Sequence, residues 1–151
     1  MTCRSNAIFR PMEDRDRPAV LALSKAWAEE NITYGYSANG DKELDDYRCW
    51  VAEVDGRVAG YAAGQMETAG RDSSIQRAGD QWFELEELYV DRTLRDGGLG
   101  GALLDHVEQA LRGEGVKRLM LTGANRAQEP LLRFYLRRGM TLYSFRAFRD
   151  L

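Results

Sequence analysis

At 151 residues, 44% hydrophobic and 30% charged, the chain is sized for one soluble globular domain, expected to span residues 1–151. No apolar run approaches the roughly 18 residues of a membrane span, and Met1 to Asn6 leads into patterned sequence without an apolar leader core. Two cysteines, Cys3 and Cys49, make neither a disulfide framework nor a metal motif, so a reducing cytoplasm is expected. The net charge of −3 argues against nucleic acid as a partner, but it conceals a division: the chain through Asp91 carries −8 and the remainder +5. Such a split suits one region that holds an anion and another that holds a cation, or a chance clustering of solvated charge.

In chain order, Ala7 to Met12 predicts a first strand. Glu13 to Asp16 supplies acids for the first turn of a helix reaching about Glu30, with Val20, Leu23 and Trp27 on one face. A polar stretch from Asn31 to Asp46 follows, with a short helix over Lys42 to Asp46. Cys49 to Val54 and Val58 to Ala63 are strands joined at Asp55-Gly56, a pair suited to a type I′ hairpin turn. Glu67 to Asp80 is a long polar loop and Trp82 to Val90 another strand. Gly98 to Leu111 predicts a helix with a Leu99, Leu103, Val107, Leu111 stripe, Lys117 to Thr122 a short strand and Glu129 to Arg138 a helix with Pro130 in its first turn. Met140 to Phe148 closes the pattern as a final strand. The order predicts an α/β (α+β) domain: a mixed central sheet of about six to seven strands with helices on both faces.

The most informative segment is Leu88 to Gly101, where a strand ends, a basic turn follows and glycines open a helix. The unpaired amides of a helix N-terminus attract an anion, and glycines let it approach the backbone. Four glycines in five residues are otherwise poor helix material, at about 1 kcal/mol each relative to alanine. A Walker loop fails because Ala102 follows Gly101, and a dinucleotide fingerprint fails because Leu103 stands where its third glycine belongs. A bare tight turn with close helix packing does not call for so many glycines beside an arginine.

Arg95-Asp96-Gly97-Gly98-Leu99-Gly100 resembles the Arg/Gln-x-x-Gly-x-Gly/Ala motif of the GNAT superfamily of N-acetyltransferases. The hairpin around Asp55-Gly56 resembles that family's second and third strands, and Phe134 to Met140 its closing segment. The resemblance covers nearly the whole chain. It implies acetyl transfer from acetyl-CoA to an amine by direct attack, with no metal and no covalent enzyme intermediate. It assigns the cofactor's pyrophosphate to Arg95, Asp96, Gly97, Gly98, Leu99, Gly100 and Gly101, and its pantetheine arm to the backbone of Leu88, Tyr89 and Val90. Catalytic roles fall to a carboxylate of the preceding strand, Glu86 ahead of Glu84, and to Tyr135 as proton donor to sulfur. Strict alternation places Glu84 and Glu86 on one strand face and Glu87 on the other unless a bulge intervenes. The family's asparagine seven residues before the tyrosine is Gln128 here, and Asn125 is the substitute candidate for the cofactor. His106, the only histidine, reads as a surface residue.

The acceptor is expected to be a small-molecule amine, or a protein amine, met by the acidic part of the chain, without nucleic acid or membrane. Thr141 to Arg149 offers a strand edge for a homodimer. The rival readings are, from another class, a non-catalytic CoA-binding or regulatory module of the same fold and, third, a nucleotide-binding protein.

Overall fold

A computed structural model describes residues 6–151. The Cys3 reading lies outside the described residues. Strand β1 (Ala7–Pro11) leads through a 3-10 turn into helix α1 (Arg17–Glu30), and the short α2 (Asp41–Asp45) precedes β2 (Arg48–Val54). Then come β3 (Arg57–Thr68), β4 (Gln81–Val90), α3 (Leu99–Gly113), β5 (Leu119–Leu121) and α4 (Gln128–Arg137). The five strands lie in chain order in one sheet, antiparallel from β1 to β4, with β5 parallel to β4.

Period-2 alternation feeds two cores. Trp50, Ala52 and Val54 of β2 pack with Phe83 and Leu85 against Leu99, Leu103, Leu104, Val107 and Leu111 of α3. Their neighbours Cys49 and Val51 join Tyr61, Ala63 and Tyr89 against Val20 and Leu23 of α1 and Leu44 of α2. Burying an apolar side chain contributes about 1.5–3 kcal/mol, so these two faces hold the sheet between the helices. The β2–β3 turn has Asp55 and Gly56 at φ 51° and 75°, the left-handed pair that a type I′ turn requires.

Two departures from the expected architecture stand out. The sheet has five strands among the described residues, not six to seven. The final strand over Met140 to Phe148 does not form: residues 140–151 carry no strand and no sheet pairing. The expected dimer edge at Thr141 to Arg149 is therefore not a strand edge. Phe145 and Phe148 are 84% and 76% exposed, and Phe148 meets only the edge-on ring of Tyr34 among aromatic partners, so the segment's alternation buries little. A strand needs a partner for its backbone groups, and periodicity alone does not supply one.

A candidate acyl-transfer site at the splayed edge of β4

The central event is a bulge in β4. Ala63 of β3 faces Glu87 and Gly64 faces Leu85, leaving Glu86 without a partner residue. Gly64 permits this because a Cβ there would strike the Glu84 carbonyl and the Phe83 ring. One extra residue reverses the alternation. Phe83 and Leu85 before the bulge and Leu88 and Val90 after it all pack on the α3 side, while Tyr89 packs on the α1 side. Glu87 thereby joins the α1 side, correcting the simple alternation.

There Glu87 is 5% exposed and its carboxylate accepts from three side chains. It accepts from Tyr61 Oη at 2.6 Å, Tyr36 Oη at 2.7 Å and Asn39 Nδ2 at 2.7 and 2.9 Å. Ser24 Oγ bonds Tyr36 Oη at 2.6 Å and accepts the Asn39 amide at 2.9 Å. Burial pushes the Tyr36 and Tyr61 phenols far above the usual tyrosine range, so both are hydrogen-bond donors to Glu87. Glu86 itself is exposed. Partial desolvation, followed by the fields of Glu84, Glu67 and Glu87, raises its carboxyl above the ordinary glutamate range. Glu84 is half-buried and accepts from Trp82 Nε1 at 2.8 Å.

The pairing of β4 with β5 covers only Phe83 to Leu85, so residues 86–90 have no strand partner on that side, where the Val90 carbonyl accepts from Arg95 instead. The segment after α1 bridges the opening. Its Ile32 and Tyr34 exchange backbone bonds with Arg126 and Ala124 beyond β5, while its Tyr36 and Asn39 grip Glu87 on β4. Trp27 stacks between Tyr36 and Tyr89, with centroids 4.0 and 5.3 Å away.

The open edge runs into the glycine turn. Asp96 and Gly98 are left-handed, at φ 65° and 80°, and α3 starts immediately after Gly98 without a side-chain cap. The amides of Gly98, Leu99, Gly100 and Gly101 make no backbone hydrogen bond among the described residues. Leu99 is 3% exposed, so its side chain belongs to the core and only its amide faces the turn. Arg95 is engaged: its Nε donates to the Val90 carbonyl at 3.2 Å, and its guanidinium forks onto Glu30 at 2.7 and 2.5 Å. A turn of free amides in front of an open strand edge can seat an extended molecule with an anionic end.

A family model described as the Acetyltransferase (GNAT) family matches residues 11–140. The chain belongs to the GNAT family. No curated protein matches it. Among solved structures, it is similar to an acetyltransferase of Trypanosoma brucei, with 22% identity and TM-score 0.68 over 96% of this chain and 99% of that one. A predicted acetyltransferase of Clostridium acetobutylicum solved with acetyl-CoA gives 17% identity and TM-score 0.68, over 95% and 96% of the two chains. An aminoglycoside acetyltransferase from an uncultured soil metagenomic sample gives 14% and 0.68, over 98% of each. These likenesses concern the fold.

Tyr135 is half-buried against the α3-side core, and burial raises its phenol to about 12. Its hydroxyl bonds no protein group among the described residues, whereas Tyr36 and Tyr61 are both engaged. Asn125 is used locally: its backbone bridges Thr33 and its Oδ1 accepts from the Ala127 amide at 2.7 Å. The basic residues of the second part do not converge on the glycine turn. Arg112 pairs with Glu108, Arg133 with Glu129, and Arg126 contacts Asn31; Arg138 donates to the Gly101 carbonyl at 2.8 Å and pairs with Asp105. Two residues went unassigned in the sequence reading, Glu30 and Glu87. Only the adjacency of two acids at Glu29-Glu30, at the helix end that disfavours them, hinted at the first.

Proposed function

We propose that this GNAT-family chain, acting as one domain, is an acetyl-CoA-dependent N-acetyltransferase with a cationic amine acceptor. The observation that carries the reading is the continuity of the free amides of Gly98 to Gly101 with the unpaired β4 edge. Anion-binding amides and an open strand edge fit a diphosphate followed by an amide-bearing arm. The amides of Gly98 to Gly101 would hold the diphosphate, and the backbone of Leu88 to Val90 would hold the arm. A neighbour of the same fold, solved with acetyl-CoA, supports the choice of donor.

Bound acetyl-CoA supplies the activated acetyl group. Glu86, exposed at the bulge with its carboxyl raised, accepts the acceptor's ammonium proton directly or through water. Glu84 and Glu67 add negative potential there, which favours a cationic amine. Tyr135 stays protonated at neutral pH and serves as the proton donor. Glu87 is a poorer base than Glu86, because it is buried and holds three side-chain donors in place. An aminoglycoside acetyltransferase among the structural neighbours supports a small-molecule acceptor over a protein amine. The exposed Leu142, Tyr143, Phe145 and Phe148 support a homodimer covering that face, which light scattering on the purified chain would detect.

Calorimetry with acetyl-CoA, followed by an amine screen read by CoA release, tests the proposal. Binding with turnover that falls about tenfold or more in Tyr135→Phe supports it. Binding with no turnover on any amine points to a non-catalytic CoA module, and tighter ATP than acetyl-CoA binding to a nucleotide-binding protein.

A further inference from the structure

Arg95 begins the turn proposed to hold a diphosphate, yet its charge is already committed. Glu30, the last residue of α1 and 10% exposed, takes both outer guanidinium nitrogens, at 2.7 and 2.5 Å. The same carboxylate accepts the Tyr89 hydroxyl at 2.5 Å, and the guanidinium lies 5.1 Å over the Tyr89 ring. With Nε on the Val90 carbonyl, Arg95 is fixed to the end of β4, to α1 and to Tyr89 at once. Glu30 also stands at a helix C-terminus, where the dipole opposes a negative charge and the last turn of α1 offers no basic residue. Local helix electrostatics therefore give no reason for an acid at this place; the Arg95 pair does.

We infer that Glu30 is a positioning residue for donor binding: it pins Arg95 as a strut that sets the glycine turn, and the turn's amides rather than the guanidinium carry the diphosphate. The inference rests on the acetyl-CoA reading above. It reverses the expectation from charge alone. If Arg95 bound the diphosphate itself, Glu30 would compete for it, and neutralising Glu30 would tighten binding. If Glu30 sets the strut, neutralising it weakens binding.

The test is acetyl-CoA calorimetry on the wild type and on Glu30→Gln, Arg95→Gln, the double variant and Glu29→Gln. Glu29 is an exposed neighbour on the same helix end, and its substitution makes the same charge change without touching the strut. Glu30→Gln is expected to weaken binding about tenfold or more, the scale of a lost charge-assisted pair. Arg95→Gln should match it, and the double variant should be no worse than either single one. With the best amine from the screen, the acetyl-CoA KM should rise while kcat at saturation and the acceptor KM hold. Unchanged or tighter binding in Glu30→Gln overturns the inference, and so do additive losses in the double variant. Melting curves show whether each variant folds; should Glu30→Gln not fold, Arg95→Gln alone decides, since binding within twofold of the wild type also overturns the strut. A wild type that gives no binding heat removes the acetyl-CoA reading itself and this inference with it.

Discussion

The glycine turn after β4 and the carboxylate cluster before it sit on the same strand, yet they treat polar groups in opposite ways. At the turn, the amides of Gly98 to Gly101 are left unpaired, and the one side chain among these four residues, Leu99, is turned into the core. At the cluster, Glu87 is buried and bonded to Tyr36, Tyr61 and Asn39, and no buried side-chain polar atom among the described residues lacks a partner. Unsatisfied groups are tolerated where water or a ligand reaches them and are costly where neither does. The turn is thus organised to receive something, and the cluster to hold the wall beside it still.

Breaking the wall should have the largest effect. Glu87→Ala strips the buried Tyr61 and the half-buried Tyr36 and Asn39 of their acceptor and should cost on the order of 3 kcal/mol, measured by urea unfolding, while folded protein keeps its acetyl-CoA affinity. A variant that loses acetyl-CoA binding in proportion to stability would erase the distinction between the two regions. Next comes Glu86→Gln, which should lower kcat about 10²-fold with donor binding intact. In the wild type, the acid limb of kcat/KM should lie above the ordinary glutamate range, because Glu86 must be deprotonated and its carboxyl is raised; the limb should vanish in the variant.

Gly98→Asp should weaken acetyl-CoA binding about 10- to 100-fold in calorimetry. A side chain at φ 80° is strained by about 1–2 kcal/mol, and a carboxylate there repels the anion the turn is open to receive. The smallest effect concerns pH. Arg95 holds the Glu30 carboxyl below its usual range, and Arg10 does the same for Asp16. Both contributions are complete above the ordinary carboxylate values and are lost as pH falls through the lowered folded ones. Urea midpoints should therefore be flat near neutrality and decline below roughly pH 4, less steeply in Glu30→Gln.

The turn was legible because its chemistry is written in consecutive residues. Glycines, an arginine and a helix start need only local geometry to present free amides, and the hairpin at Asp55-Gly56 was readable for the same reason. The carboxylates were legible as candidates but not as a set of roles. Glu84, Glu86 and Glu87 differ by a bulge that depends on Gly64, twenty or more residues away on the neighbouring strand. Arg95 was readable as a cation, but its partner Glu30 lies sixty-five positions earlier, so its task could not be seen. The net charge was misleading in the same way: Arg112 pairs with Glu108, Arg133 with Glu129 and Arg118 with the Ile75 carbonyl, so these arginines are spent on partners away from the turn.

By itself the sequence determined the helices and the strands from β1 to β5, the hairpin turn and the glycine turn with its unpaired amides, since each follows from periodicity or from residues adjacent in the chain. Tertiary structure decided which glutamate is sealed and which is exposed, where the sheet opens beside β4, and that Met140 to Phe148 stays unpaired. The physical reason is common to all three: strand pairing and buried polar satisfaction are properties of two segments at once, and no single stretch of sequence contains both.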